Sequence, residues 1–326
     1  MGASVNDATV GKTAVTVTRI GCGGAPLGGL FEAVSEEQAQ ETLAQAWASG
    51  VRYFDTAPLY GYGLSEERLG RFLSDKSRDA FTVSTKVGRV LVPKSEKPNQ
   101  DGSLASFRGA LPFEAVFDFS ADGIRRSIEA SLQRLQLSRV DIIYIHDPEH
   151  HLEQAIHEAY PALLRLREEG VTRAIGVGMN QTQPLERFVR ECNLDAVMIA
   201  GRYTLLDRSA LDDLLPACAQ RGVSVIAAGV FNSGILAERE PRAGATYDYR
   251  IADAATLART QVLYALCRRY GVSMRSAAIQ FPLSHPAITS VVLGMRTPAE
   301  VREDLAALER PLPPTLLREL NETAHA

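Results

Sequence analysis

Short runs of β-branched and aromatic residues alternate along this chain with segments whose apolar residues recur every three or four positions. The first pattern is typical of β-strands and the second of amphipathic helices. Counting from the strand at Ile20, eight strands can be recognised, each followed by a helical segment. Eight such units without a linker favour a closed (β/α)8 barrel, the α/β fold called a TIM barrel. A doubly wound open sheet is the alternative, but its G-x-G-x-x-G fingerprint is missing.

The boundaries of these elements follow from the same pattern. Residues 14–20 are predicted to form a strand or a short hairpin. Further strands are predicted over residues 51–55, 81–86, 140–145, 171–177, 194–200, 223–227 and 288–293. Helices are predicted from Ser35, Ser65 and Thr297, which are good N-cap residues, and over residues 121–137, 152–169, 184–191, 211–220, 254–270, 274–281 and 314–323.

Two regions fall outside the alternation. Residues 1–12 are predicted to form a flexible tail, and residues 13–326 a single domain. Residues 88–120, after the third strand, show no clear period and contain three prolines and three glycines. A loop of that length in a compact domain is usually functional or mobile.

Composition and charge narrow the class of protein. With 45% hydrophobic and 23% charged residues, the 326-residue chain is typical of a globular protein. A net charge of −4 gives no basic footprint for nucleic acid. The four cysteines form no C-x-x-C pair, which argues against a disulfide framework or a metal site and fits a reducing compartment. With no signal peptide and no apolar run long enough to span a membrane, we expect a cytoplasmic protein without bound metal.

Chemistry-bearing side chains gather where predicted strands end. Asp55, Lys86 and His146 end or follow the second, third and fourth strands, and Tyr60 lies in the loop after Asp55. Singly, each has an ordinary structural explanation, such as a cap or a solvated charge. Because all parallel barrel strands end at one face, these four side chains are expected to converge.

Several motifs together resemble the aldo-keto reductase superfamily over residues 17–308. They read FDTAPLYGYGLSEERLG, STKVGR, VDIIYIHDPE and VVLGMRTPAEVREDLAAL. The resemblance implies the (β/α)8 barrel, nicotinamide-dependent oxidoreductase activity and a catalytic tetrad at Asp55, Tyr60, Lys86 and His146.

The tetrad has a physical rationale. Hydride transfer at a carbonyl or hydroxyl carbon needs a group that exchanges the hydroxyl proton, but a tyrosine has a reference pKa of about 10. We expect the Lys86 ammonium to lower the pKa of Tyr60 and Asp55 to keep Lys86 charged and oriented. A neutral His146 would hold the reacting oxygen through a hydrogen bond.

The resemblance also implies where the cofactor lies. The expected cofactor-binding residues are Gly23, Met179, Asn180, Tyr203, Gly229, Phe231, Asn232, Ser233, Gly234, Leu236, Gly294, Arg296, Thr297, Glu300, Glu303 and Asp304. Backbone amides at 229–234 and a helix N-terminus at Thr297 suit phosphate oxygens. Whether Met179 or Asn180 contacts the nicotinamide amide stays open.

The chain also departs from the family pattern at Ala200, Ala228 and Glu300. Ala200 stands where many members have glutamine, and Ala228 where a tyrosine often stacks on the nicotinamide, a role that Phe231 would take in part. Glu300 stands near the position where NADP-preferring members of the family typically carry an arginine that binds the 2′-phosphate. A carboxylate repels a 2′-phosphate and accepts a hydrogen bond from a 2′-hydroxyl, so NAD is expected to be preferred, while Arg296 leaves NADP open.

Within the superfamily the motifs most resemble the sugar 1-dehydrogenases and the related pyridoxal 4-dehydrogenases. We therefore expect oxidation of the anomeric carbon of an aldose of the L-fucose or D-threo-aldose type to a lactone. Oxidation of pyridoxal to 4-pyridoxolactone, NADPH-dependent aldehyde reduction and a regulatory binding subunit are the alternatives. The candidate substrate contacts are Tyr62, Phe119, Asp147 and His150. No oligomeric state is predicted.

Overall fold

The computed structural model describes residues 7–94 and 107–323. The strands in these residues are β1 (Asp7–Thr9), β2 (Thr16–Thr18), β3 (Ile20–Gly23), β4 (Tyr53–Asp55), β5 (Thr82–Val87), β6 (Arg89–Pro93), β7 (Phe113–Phe117), β8 (Ile142–His146), β9 (Ala174–Met179), β10 (Ala196–Ala200), β11 (Ser224–Ala228), β12 (Thr246–Tyr247), β13 (Arg250–Ile251) and β14 (Ile288–Gly294). The α-helices are α1 (Glu36–Ala48), α2 (Leu64–Leu73), α3 (Ala121–Leu135), α4 (Leu152–Gln154), α5 (Tyr160–Glu168), α6 (Thr182–Glu191), α7 (Leu214–Arg221), α8 (Ala254–Arg269), α9 (Met274–Leu283), α10 (Pro298–Ala306) and α11 (Pro314–Glu322).

Eight parallel strands close into a barrel. Their order around it is β3, β4, β5, β8, β9, β10, β11 and β14, and β14 pairs with β3 to complete the ring. The predicted (β/α)8 barrel is therefore confirmed, and each barrel strand overlaps its predicted range. The N-caps at Ser35 and Thr297 are also confirmed, because their side chains accept hydrogen bonds from the backbone N–H groups of Gln38 and Glu300.

The barrel buries apolar residues on both sides of its wall. An outer layer packs between strands and helices, and a smaller cluster inside the barrel includes Tyr53, Tyr144, Met198 and Ile226. This explains why the strands read as apolar runs rather than as alternating ones.

The amino-terminal segment packs against the interior cluster of the barrel. Asp7–Thr9 pairs antiparallel with Thr16–Thr18, and Val10 is fully buried in the interior cluster. The Gly11 N–H donates to Ser224 Oγ at 2.8 Å. The expectation of a flexible tail over residues 1–12 is therefore wrong for 7–12, because burial of Val10 and strand pairing order this segment. Residues 1–6 lie outside the described residues.

The predicted long loop after the third strand contains regular structure. Strand β6 pairs antiparallel with β7, from Arg89 opposite Phe117 to Pro93 opposite Phe113. The pairing joins segments far apart in sequence, so no local period reveals it. Residues 95–106 of the loop lie outside the described residues. None of the helices that the structure describes combines the length and apolar character needed to cross a membrane.

Candidate active site

A cavity of about 850 Å³ opens at the carboxyl ends of the barrel strands. Asp55, Tyr60, Lys86 and His146 all lie on its wall, as their positions at the ends of β4, β5 and β8 predict. The volume is in the upper part of the range of about 300–1,000 Å³ usual for small-molecule sites. The cavity is therefore large enough for a dinucleotide and a small substrate.

A buried ion pair forms the floor of this cavity. Lys86 Nζ donates to Asp55 Oδ2 at 2.7 Å and to the Thr56 carbonyl oxygen at 3.0 Å. The two side chains are only 2% and 3% exposed. Burial alone lowers the pKa of Lys86, but Asp55 and Tyr60 outweigh it, and the net pKa lies above the usual value. Lys86 is therefore charged throughout the working pH range.

Tyr60 lies directly against this pair. The Lys86 Nζ atom is 4.6 Å from the centroid of the phenol ring. Burial raises the pKa of Tyr60 to about 12, while Lys86 acts in the opposite direction. The expectation of a lowered pKa is therefore wrong for the protein alone, because loss of hydration outweighs the attraction of the ammonium. At neutral pH Tyr60 keeps its proton and can donate it.

Two glycines, Gly28 and Gly61, allow the loop that carries Tyr60 to pack closely against the backbone of the segment around Gly28. Gly61 has a φ of +66°, and a Cβ added there would lie 2.5 Å from the Gly28 carbonyl oxygen. A Cβ on Gly28 would lie 2.5 Å from the Tyr60 backbone carbon. Larger residues at these positions would displace the loop and with it the phenol.

His146 completes the cluster from the next strand. Its ring meets that of Tyr60 edge to face, with centroids 6.0 Å apart. Burial lowers the pKa of His146 to about 3, although Asp147 opposes the shift. The imidazole is therefore neutral at physiological pH, as expected, and one of its nitrogens can donate a hydrogen bond to a substrate oxygen.

Asp147 turns back toward the cavity from an unusual backbone conformation. Its φ is +48°, a left-handed value that aspartate tolerates better than most residues. Its Oδ2 atom lies 3.5 Å from His146 Nε2 and accepts from Arg89 Nη2 at 2.9 Å. One wall of the cavity is therefore a charged, hydrogen-bonding surface.

Most of the predicted cofactor residues lie on the cavity wall. They are Gly23, Met179, Asn180, Gly229, Phe231, Ser233, Gly234, Gly294, Arg296 and Glu300. Gly229 and Gly234 have φ values of +61° and +109°, which gives the turn after β11 a conformation that favours glycine. Ala200 and Ala228 also line the cavity.

Other predicted cofactor residues are turned away from the cavity. Tyr203 is 5% exposed and packs its ring on Phe281 and His285. Leu236 is fully buried, and the Asn232 side chain donates to the Gly201 carbonyl oxygen at 3.3 Å. Packing between loops and helices takes up these side chains, so they do not line the cavity, and their contact with a cofactor stays a prediction.

The residues predicted on α10 act mostly within the protein. Thr297 caps the helix, while Glu303 and Asp304 form ion pairs with Arg275. Arg275 itself lines the cavity. Burial raises the pKa of Asp304 to about 6, although Arg275 opposes the shift. Thr297, Glu303 and Asp304 do not line the cavity themselves, and their contact with a cofactor stays a prediction.

Arg296 and Glu300 are coupled at the edge of the cavity. The Arg296 backbone N–H donates to Glu300 Oε2 at 2.8 Å, and its guanidinium pairs with Glu32 at 2.6 Å. Arg296 is therefore paired with a largely exposed carboxylate, while Glu300 brings negative charge to the wall.

Two of the four candidate substrate residues line the cavity, namely Tyr62 and Asp147. Phe119 is 1% exposed and packs on Phe117 and His151, so it supports the wall from behind. His150 does not lie on the wall. The contacts of Phe119 and His150 with a substrate stay predictions that their positions do not support.

Sequence reasoning missed several wall residues. They are Phe31, Arg89, Phe107, Tyr249 and Arg275, among others. Arg89 stands three residues after Lys86 within STKVGR, so that motif carried a usable signal. Tyr249 comes from the turn between β12 and β13. No sequence signal marked it, because only tertiary contacts bring it to the cavity. Among the residues described here, no group of three or more His, Cys, Asp or Glu side chains is placed to hold a metal ion.

The chain is similar to known oxidoreductases along most of its length. A model of the Aldo/keto reductase family matches residues 19–324. The chain is 45% identical to a D-threo-aldose 1-dehydrogenase of a Pseudomonas species, over 91% of this chain and 92% of that protein. It is 39% identical to a pyridoxal 4-dehydrogenase of Microbacterium luteolum, over 93% of each. It is 34% identical to the L-galactose dehydrogenase of Arabidopsis thaliana, over 92% of this chain and 86% of that one.

Solved structures share the fold. An aldo-keto reductase from Bacillus halodurans in its holo form has a TM-score of 0.76 and 23% identity, covering 98% of this chain and 96% of its own. A glycerol dehydrogenase from Gluconobacter oxydans has a TM-score of 0.73 and 21% identity, covering 98% and 95%. At these identities the likeness concerns the fold alone.

The neutral buried imidazole predicts how stability depends on pH. Below pH 6.5 the unfolded chain binds a proton at His146 that the folded chain, with its pKa of about 3, does not bind. Unfolding is therefore favoured as the pH falls, by up to about 1.4 kcal/mol per pH unit. Urea denaturation between pH 4.5 and 7.5 is expected to show a steeper loss of stability in the wild type than in His146→Asn. The exposed His157→Asn is the control, and equal slopes for the wild type and His146→Asn would contradict the neutral assignment.

Proposed function

The chain belongs to the aldo/keto reductase family, and from that premise we propose that it is a nicotinamide-dependent dehydrogenase that oxidises the anomeric carbon of an aldose to a lactone. The observation that carries the proposal is the buried Asp55–Lys86 pair at 2.7 Å, which lies beneath Tyr60 and beside a neutral His146. This arrangement suits proton exchange at one oxygen atom.

The groups on the cavity wall fit a dinucleotide. The glycine-rich turn after β11, Asn180, Arg275 and Arg296 all line the cavity. They match the phosphates and the carboxamide of such a cofactor. When bound, the nicotinamide supplies the hydride acceptor.

The protein's own residues manage the proton. In oxidation the C–H bond at the anomeric carbon breaks with loss of hydride, and the hydroxyl proton passes to the ionised Tyr60 oxygen. The Lys86 ammonium stabilises that phenolate, and His146 donates a hydrogen bond to the same substrate oxygen. In the reverse direction protonated Tyr60 gives its proton to the carbonyl oxygen. The protonated form of Tyr60 is the one favoured at neutral pH, because its pKa is about 12.

An aldose is supported by the two unlike walls of the cavity and by the relative of 45% identity. Arg89, Asp147 and Glu149 offer charged groups for sugar hydroxyls, while Tyr62 and Phe107, with ring centroids 6.0 Å apart, offer apolar surface for C–H groups. The same aromatic wall supports pyridoxal as the second candidate, since a flat pyridine ring can stack there. The relative of 39% identity favours that alternative.

A substrate panel tests the proposed function. We expect L-fucose, L-galactose or D-arabinose to give the highest kcat/KM with NAD, measured as NADH formation at 340 nm, because the wall of charged groups matches a polyhydroxylated ring. A higher value for pyridoxal would replace the aldose with the second candidate. Absence of turnover with all four compounds would reject the dehydrogenase proposal and favour a regulatory binding subunit.

Tyr60→Phe tests the assigned acid and base. Loss of the hydroxyl is expected to lower kcat by about 100-fold or more, while the protein still binds NADH as followed by fluorescence. Wild-type kcat/KM for oxidation is expected to rise from pH 7 to pH 10, because the Tyr60 phenol must lose its proton and its pKa is about 12. The residual activity of the variant is expected to lack this rise.

Full activity in Tyr60→Phe would exclude this residue as the proton acceptor.

Glu300 is proposed to make NAD the preferred cofactor, because its carboxylate on the cavity wall repels a 2′-phosphate. The substitution Glu300→Gln keeps an oxygen that can accept from the Arg296 backbone but removes the charge. We expect it to raise kcat/KM for NADP relative to NAD by about tenfold. The exposed Glu309→Gln, just beyond α10, is the control and is expected to leave the ratio unchanged. A wild type that strongly prefers NADP would contradict the assignment.

A further inference from the structure

Each strand that carries a tetrad residue also carries a hydroxyl two positions earlier. Tyr53 precedes Asp55 on β4, Ser84 precedes Lys86 on β5, and Tyr144 precedes His146 on β8. Because side chains of a strand alternate between its two faces, residues two apart point the same way. The three hydroxyl-bearing residues are therefore one layer deeper in the barrel than the tetrad.

Hydrogen bonds link this deeper layer to the tetrad. The Ser84 hydroxyl donates to Asp55 Oδ1 at 2.7 Å. The Tyr53 hydroxyl lies 3.1 Å from Ser84 Oγ and 3.4 Å from the Tyr144 hydroxyl. Tyr53, Ser84 and Tyr144 are fully buried. The contacts form a continuous chain that ends on the carboxylate.

The direction of this chain is determined by the number of protons available. Ser84 has one hydroxyl proton and gives it to Asp55, so its oxygen must accept from Tyr53. Tyr53 has then used its own proton and must accept from Tyr144. Burial raises the pKa of both tyrosines above the usual value, so both remain protonated donors. Every hydrogen bond therefore points toward Asp55.

We propose that Ser84 and Tyr53 are positioning residues that hold the Asp55 carboxylate in the orientation that Lys86 requires. The proposal rests on the function proposed above. Asp55 then has a separate donor for each oxygen, Lys86 for Oδ2 and Ser84 for Oδ1. A carboxylate held at both oxygens cannot rotate, so the Lys86 ammonium stays beneath the Tyr60 ring.

The barrel holds the two tyrosine rings in place. A Cβ added to Gly21 would lie 2.6 Å from a Tyr53 ring carbon, and one added to Gly176 would lie 2.8 Å from the ring of Tyr144. The rings therefore occupy the space that the missing side chains leave. Such close packing restricts the hydroxyls to one arrangement.

Ser84→Ala tests the proposal, and the neighbouring residue offers a matched control. Thr85 Oγ1 donates to Glu66 Oε1 at 2.6 Å on the other face of β5, so Thr85→Val removes another buried hydroxyl–carboxylate hydrogen bond. Ser84→Ala is expected to lower kcat about tenfold, as loss of a hydrogen bond to a charged group does, with little change in KM. Thr85→Val is expected to lower the melting temperature and leave kcat unchanged. Tyr53→Phe, which only removes an oxygen, is expected to lower kcat by about threefold.

A double-mutant cycle separates positioning from a general loss of structure. In the Asp55→Ala background, Ser84 no longer has a side chain to orient, so Ser84→Ala is expected to cause no further loss of kcat. Losses that multiply in the double variant, or a Ser84→Ala enzyme as active as Thr85→Val, would overturn the proposal.

A crystal structure of Ser84→Ala gives a readout that needs no turnover. We expect the Asp55 carboxylate to adopt a second orientation and its contact with Lys86 to lengthen. An unchanged carboxylate would overturn the positioning role even if kcat falls. If no aldose or pyridoxal is turned over by the wild type, the proposed function fails, while the carboxylate orientation still decides the role of Ser84.

Discussion

The buried ion pair between Lys86 and Asp55 is the constraint on which this structure depends. Two charges held at 2.7 Å and almost fully removed from water must satisfy each other. Removing one partner of such a pair costs about 3–5 kcal/mol, because the other charge is left buried and unpaired. Ser84 and the Thr56 carbonyl supply the remaining hydrogen bonds. The end of the barrel is therefore built to keep a positive charge next to a phenol.

Burial and charge act in opposite directions on that phenol. Loss of hydration raises the pKa of Tyr60, and the ammonium partly offsets the rise. The same burial keeps His146 neutral, so that it donates a hydrogen bond rather than adding a third charge. The site thus combines one fixed cation with two neutral groups that can hold or move a proton, which is the arrangement that the proposed chemistry needs.

Part of the wall above this floor comes from segments added to the barrel. The β6–β7 hairpin brings Arg89 to the cavity, and the turn between β12 and β13 brings Tyr249. Loops on a rigid scaffold can change substrate choice without disturbing the strands that hold the catalytic groups. This division places the proposed proton chemistry on strand ends and the proposed substrate choice on hairpins.

The sequence alone determined the barrel, its strand–helix order and the convergence of Asp55, Lys86 and His146, because these depend on local periodicity and on the rule that parallel strands end at one face. Tertiary structure decided the rest. Pairing with residues 16–18 and burial of Val10 ordered the segment from residue 7. Pairing of β6 with β7 ordered part of the long loop, and packing turned Tyr203 away from the cavity. The direction of the Tyr60 pKa shift was also decided there, since burial depends on the whole fold and no spacing along the chain records it.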